Sequence, residues 1–237
     1  MKTSVISQPM YFPWRGIFEQ ILLADDFVFY DDVQYARGFI NRVQIKTPQG
    51  QRWLTVPLEK HNQSSKINEI CTKDSLNWVK NHQQLFLINY RKAPYLDDAM
   101  DIIREATYIS WHNLAEIAIQ TIIKTLAYLG YEKLPIFHIS SKLNIEGIKG
   151  ERIQNIVKFL GANIYVSGLG AMNYLDHHKL EDDGIEVRYM DYRLTPYPQL
   201  HGTFTPFVSI LDLVANCGPN SRDFIGSPAT NWRNHVR

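Results

Sequence analysis

Apolar and polar positions alternate over short stretches near both ends of the chain and follow a helical period through its middle. Thr3 to Ile6 is a β-type run that breaks into Ser7-Gln8-Pro9-Met10-Tyr11-Phe12-Pro13-Trp14-Arg15-Gly16. A helix-patterned stretch, Ile17 to Ala24, leads to a second β-type run, Phe27 to Tyr30, which ends in Asp31-Asp32-Val33-Gln34-Tyr35. Strand, stiff turn, helix and strand in that length make one βαβ unit. Val43 to Thr47 then alternates as a strand, Pro48-Gln49-Gly50 turns, and Arg52 to Leu58 returns, which predicts an appended β-hairpin. Lys60 to Lys66 is a polar loop, and Ile67 to Cys71 reads as a short strand.

The middle predicts helices. Asp74 or Ser75 can N-cap one that runs to about Tyr90, and Pro94 opens another through Leu96, Met100, Ile102 and Ile103. The clearest helical period spans Asn113 to Leu129 and stops at Gly130. Strands and helices alternate again afterwards. Phe137 to Ile139, Asn163 to Val166 and Ile185 to Tyr189 read as strands. Glu151 to Leu160, Asp176 to Asp183 and Ser209 to Asn216 read as helices, and no clear period follows Arg222. The expected architecture is α/β: a mainly parallel sheet with an appended β-hairpin and a helical insertion. It divides at 1–72, 73–133 and 134–237, the last stretch rejoining the first in one domain.

Composition narrows the classes. A chain of 237 residues suits one large α/β domain. Twenty-five basic and 24 acidic residues leave a net charge of +1, too little to gather nucleic acid or an anionic membrane by long-range attraction. No apolar run reaches the ~20 residues of a membrane span, and Pro9 and Pro13 interrupt the early apolar stretch where a signal peptide would need continuity. The expectation is a cytoplasmic protein with neither nucleic-acid nor membrane partners. Cys71 and Cys217 form no ligand spacing, and the eight histidines do not cluster, so no metal site is expected.

Ligands of open α/β sheets sit at the carboxyl ends of strands beside helix N-termini. The polar-aromatic clusters Gln8 to Arg15 and Asp31 to Tyr35 fall there. Pro9 and Pro13 freeze a loop carrying Gln8, Tyr11 and Trp14, as a preorganised ligand site or as a structural turn. One of Asp31 and Asp32 is expected to face the cleft, to bind Mg²⁺, hold a hydroxyl or act as a general base, with a backbone-binding loop aspartate as the other reading. Asn41, Arg42 and Lys46 suit a phosphate or diphosphate if one strand face carries both cations, with a solvated hairpin face as the other reading. Lys149 before Gly150 suits an anion at a helix entrance or is ordinary helix-start chemistry. The glycines of Ser167-Gly168-Leu169-Gly170 permit close approach of a ligand or a left-handed turn, with Tyr174 nearby.

Several of these segments carry a resemblance. Ile6-Ser7-Gln8-Pro9-Met10-Tyr11-Phe12-Pro13-Trp14, Tyr30-Asp31-Asp32-Val33-Gln34-Tyr35, Asn41-Arg42, Trp53-Leu54-Thr55-Val56-Pro57, Tyr165-Val166-Ser167-Gly168, Tyr197-Pro198-Gln199-Leu200 and Asn216-Cys217-Gly218 resemble, in order, the WbqC-like protein family. Many members carry His before the Gln-Pro pair, where this chain has Ser7. The opening unit also resembles the HIGH-type nucleotidyltransferases, pantothenate synthetase above all, although their His-x-Gly-His reads Trp14-Arg15-Gly16-Ile17 here. That likeness implies a Rossmann-like, nucleotidyltransferase-like sheet.

The family resemblance implies a role in bacterial surface-polysaccharide biosynthesis, O-antigen and lipopolysaccharide included. The expected reaction attaches a small acyl or aminoacyl group, such as glycyl, to the amine of a nucleotide-linked amino sugar. Asp31, Asp32 and Gln8 are the catalytic candidates. Tyr11, Trp14, Gln34, Asn41, Arg42, Lys46, Lys149, Ser167, Gly168, Tyr174 and Gln199 are the substrate-binding ones. Two alternatives stand beside this: an ATP- and Mg²⁺-dependent adenylate-forming ligase or nucleotidylyltransferase, and a non-catalytic sugar-nucleotide-binding protein. The donor is unassigned, and a homo-oligomer is left open.

Overall fold

In the computed structural model, which describes residues 1–73, 76–108 and 113–235, the chain opens with β1 (Thr3–Ser7), α1 (Arg15–Leu23) and β2 (Asp26–Phe29). β1 and β2 pair in parallel, Val5 opposite Phe27. The hairpin follows as β3 (Arg42–Thr47) and β4 (Gly50–Thr55), a separate antiparallel two-stranded sheet. Next come α2 (Leu76–Tyr90), α3 (Leu96–Ala106) and α4 (Leu114–Leu129). The residues Asp74 and Ser75, expected to cap α2, lie outside the described residues. Asn113 caps α4, its side chain accepting from Ala115 N and Glu116 N, and Gly130 ends it at φ 62°, where a side chain would be strained.

β5 (Ile136–Ile139), α5 (Lys149–Phe159), β6 (Ile164–Ser167), α6 (His177–Asp182), β7 (Glu186–Met190), α7 (Ile210–Cys217) and β8 (Ala229–Asn231) complete the order. The main sheet reads β5-β2-β1-β6-β7-β8, parallel except for the edge pair β7–β8. The chain therefore moves from β1 to β2 and β5 on one side, then crosses to β6 and β7 on the other. β1 and β6 are neighbours from which the connections diverge, the position where open α/β sheets form a crevice.

Helices cover both faces, so strand residues are buried on both and read as continuous apolar runs. Val5, Phe27, Phe29 and Val166 pack under α1, α4 and α7 through Phe18, Ile122, Leu126 and Leu213. Ile6, Val28, Tyr165 and Val187 point the other way, onto Ile156 and Val157 of α5 and Leu180 of α6. A further cluster joins the hairpin to the helices through Val43, Ile45, Leu54, Phe86, Ile103, Leu114 and Leu211. Among the described residues, no helix is long and apolar enough to cross a membrane.

Two elements differ from the sequence expectation. Ile67–Glu69 is a 3-10 helix rather than a strand, because Ile67 and Ile70 are both fully buried and three residues apart, and Glu69 accepts from Lys66 N at 2.9 Å. β8 lies in the tail where no period was visible, since three residues are too few to show one.

Candidate functional site at the β1/β6 crevice

β1 ends at Ser7 and β6 at Ser167, and a cleft of about 570 Å³ opens over these two ends. Ser7 and Gln8 enter it from β1, Ser167 and Gly168 from β6, and Tyr30 and Val33 from the segment after β2. Trp14, Ile17 and Gln20 line the α1 side, while Lys149, Ile153 and Tyr174 line the other. Trp14 folds back over the first turn of α1. A Cβ on Gly16 would come within 2.2 Å of the indole, so only glycine lets that ring lie there. Tyr192 and Phe207 hold the ring from outside, at 4.8 and 5.4 Å between centroids. Gln20 Nε2 donates to Tyr192 OH at 2.6 Å. Gly150 sits so close to the Tyr174 carbonyl that a Cβ would approach it to 2.9 Å, which seats the start of α5 against the Tyr174 loop.

The polar groups here are underused. α1 and α5 have no side-chain cap, whereas α4, α6 and α7 do, and the first turn of each gives the cleft a lining residue, Ile17 and Lys149. The side chains of Gln8, Lys149 and Tyr174 make no hydrogen bond or ion pair with other described residues. Lys149 holds a left-handed φ of 49°, an unusual conformation for a residue with a side chain. Burial pushes the Tyr174 phenol above its ordinary range, and burial likewise raises Tyr30 although the Arg152 guanidinium lies 5.3 Å over its ring. Both phenols are therefore O–H donors at neutral pH. Among the described residues, no carboxylate or imidazole lines the cleft.

The structure brings Gln8, Trp14, Lys149, Ser167, Gly168 and Tyr174 together in this cleft. Neither Gly168 nor Gly170 is left-handed; a 3-10 helix, Leu169–Asn173, follows directly. The other candidates lie elsewhere, for definable reasons. Asp31 is buried, its carboxylate accepting from Ser140 Oγ and Ser141 N, each at 2.9 Å, and from Ser141 Oγ at 2.7 Å. Asp32 pairs with Arg152 and lies 2.5 Å from Ser140 Oγ. Burial opposes its charge, but the bonds from Arg152 and Ser140 outweigh that and hold the carboxyl below its ordinary range. Both aspartates thus fasten the 140–152 segment to the end of β2 and neither lines the cleft, contrary to the expectation that one would face it.

Tyr11 is also not presented to a ligand. Phe12 turns the chain at φ 40°, and Tyr11 enters the helical core, 1% exposed, with its hydroxyl 3.1 Å from His82 Nδ1. His82 Nε2 faces the Thr55 carbonyl at 3.1 Å, which can only accept, so Nε2 carries the proton and Nδ1 accepts from Tyr11. Asn41 is buried, accepting from Tyr35 OH at 2.8 Å and donating to the Val56 carbonyl at 2.9 Å. Lys46 donates to the Thr203 carbonyl at 2.7 Å and to Gln199 Oε1 at 3.1 Å. Gln199 Nε2 in turn donates to Asp212 Oδ1 at 2.9 Å. Lys46 and Gln199 are therefore parts of a buried network, not of the cleft. Gln34 is exposed and donates to the Gln63 carbonyl in a loop recess. Arg42 stacks over Trp53 at 4.4 Å, beside a smaller apolar recess.

Sequence reasoning missed Tyr30 and Gln20 as lining residues. Tyr30 follows β2 directly, a strand-end signal of the same kind as Gln8 after β1. Gln20 carried no signal, because every residue from Arg15 to Ile21 is buried and no polar face marks the helix.

Residues 8–224 match the model of the WbqC-like protein family. The chain is 35% identical over 235 residues to uncharacterized protein Rv1507c of Mycobacterium tuberculosis (strain ATCC 25618 / H37Rv), an alignment covering 95% of this chain and 98% of the relative. No solved structure matches. The chain belongs to the WbqC-like protein family.

Proposed function

We propose that this member of the WbqC-like protein family binds a nucleotide-linked amino sugar in the β1/β6 cleft and attaches a small acyl or aminoacyl group, such as glycyl, to its amine, as a step of bacterial surface-polysaccharide biosynthesis. One observation carries the binding half: two helix N-termini without side-chain caps, the ammonium of Lys149 and the free carboxamide of Gln8 meet where the strand order reverses. Rossmann-like sheets hold nucleotides at that position, and a diphosphate gains from helix-end amides and from a cation. Gln8 and Ser167 orient sugar hydroxyls, and Tyr30 and Tyr174 supply phenolic donors.

The transfer half follows from what the cleft lacks. With no carboxylate or imidazole among the described lining residues, the chain contributes positioning and donors toward a developing oxyanion rather than a general base. The amine nitrogen attacks the donor's carbonyl carbon, and the leaving group departs with its electron pair and takes the amine's proton. The same lining bears on the ATP- and Mg²⁺-dependent alternative. A hard cation asks for at least one carboxylate ligand, and the residues present do not fit it. It equally favours one second reading, a sugar-nucleotide-binding protein without turnover.

Incubation of the chain with amino-sugar nucleotides and activated acyl donors, followed by mass spectrometry, tests the proposal. An amide product that disappears in Gln8→Ala and Lys149→Ala supports it. Unchanged turnover in both variants refutes the site, and tight binding without product across the donor panel favours the second reading.

A further inference from the structure

Next to the cleft lies a second recess of about 230 Å³, lined almost wholly by apolar side chains. Met10 and Trp14 belong to the walls of both spaces, so the two adjoin across the indole. Phe39 and Phe207 line it and are 55% and 54% exposed, Phe39 packing on Trp53 at 5.7 Å and Phe207 on Trp14 at 5.4 Å between centroids. Arg42 is the one charged group among the described lining residues. Its guanidinium is fixed over the Trp53 ring at 4.4 Å, and its Nε donates to the Gly38 carbonyl at 3.1 Å. Its two terminal nitrogens have no partner among the described residues.

That combination selects among ligand chemistries. An aliphatic chain would cover the rings but leave the guanidinium unmatched, and an inorganic anion would match the guanidinium but leave the rings in water. A flat heteroaromatic ring with acceptors on its edge satisfies both, stacking on Phe39 or Phe207 and accepting the paired donors of Arg42. We infer that this recess holds the nucleobase of the ligand whose phosphates and sugar occupy the β1/β6 cleft. The inference rests on the proposed nucleotide-sugar reading of that cleft and gives it a direction. The base lies beyond Trp14 on the hairpin side, the phosphates between Trp14 and Lys149, and the sugar beside Tyr30 and Tyr174. Base selectivity then belongs to Arg42.

Calorimetry on the full chain with UDP, GDP, ADP and inorganic pyrophosphate tests this. At least one nucleoside diphosphate is expected to bind more tightly than pyrophosphate by about tenfold or more. The double variant Phe39→Ala/Phe207→Ala, which removes two exposed side chains, should lose that advantage while pyrophosphate binding stays within about twofold. Arg42→Gln should narrow the differences between bases, and Lys149→Ala should weaken nucleotides and pyrophosphate alike. Nucleoside diphosphates that bind no better than pyrophosphate, or that bind unchanged to both the double variant and Arg42→Gln, overturn the base subsite and leave the cleft reading standing. If neither pyrophosphate nor any nucleoside diphosphate binds, the cleft reading falls and this inference falls with it.

Discussion

The interior beside the hairpin and the β1/β6 cleft are built from the same functional groups and use them oppositely. In the interior, Asp212 is fully buried and accepts from Tyr90 OH at 2.6 Å, Tyr197 OH at 2.9 Å and Gln199 Nε2 at 2.9 Å, while Gln199 accepts from Lys46. Burial still raises the Asp212 carboxyl above its ordinary range, because those bonds do not fully replace water. An ammonium, a carboxamide and phenols are all satisfied within the protein there. In the cleft, the ammonium of Lys149, the carboxamide of Gln8 and the phenol of Tyr174 have no hydrogen-bond or ion-pair partner among the described residues. Side-chain chemistry alone therefore does not identify a binding group; what matters is whether the fold has already supplied its partner.

The largest test of this contrast is Asp212→Ala. It leaves Tyr90, Tyr197 and Gln199 without their common acceptor and takes the nearby negative charge from Lys46, and should lower unfolding free energy by roughly 3–5 kcal/mol in denaturant titrations. A loss under 1 kcal/mol would show that the network is not structural. Acid comes next. His82 is held neutral by burial, its pKa pushed down to about 4 from 6.5 despite the hydrogen bond to Thr55. Between those values the unfolded chain binds a proton that the folded chain does not, so stability falls as pH drops from 6.5 to about 4, by roughly 3 kcal/mol. Denaturation midpoints across that window should slope in the native chain and flatten in His82→Gln.

Asp32→Asn is expected to cost about 1.5–3 kcal/mol by weakening the hold on Arg152. The sign with pH is the usual one for a lowered carboxyl: its contribution is complete above the ordinary aspartate range and is lost as pH falls through the folded value. Any amide-forming turnover should survive in the folded variant, and its abolition would return Asp32 to the chemistry. The smallest stability effect belongs to Gln8→Ala and Lys149→Ala, within about 0.5 kcal/mol by thermal melting, because neither has a partner to lose. If either is strongly destabilising, the group is structural and the contrast fails.

Periodicity was enough to place the strands of the parallel sheet and α4, since each shows its own local repeat. It was not enough to place the neighbours. Lys46 meets the Thr203 carbonyl across 157 positions, and Tyr11 meets His82 across 71. Nothing near Lys46 or Tyr11 in the chain announces those partners, which is why both read as ligand groups and are not exposed to one. Gln8, Trp14, Lys149, Ser167 and Gly168 were legible because their places depend on local rules, a strand end or a helix start. Arg152 was the hidden term for Asp32: two residues that look unrelated are joined only when β5 comes to lie beside β2.

The register of β1 against β6 sets Thr3 beside Ile164. Closing so long a loop is slow and occurs only after many other contacts exist. The crevice is thus absent from every partly assembled state that has not yet joined these two strands. A molecule that fits it will favour the finished chain over all of those intermediates, and raising its concentration should slow unfolding and shift the melting transition upward.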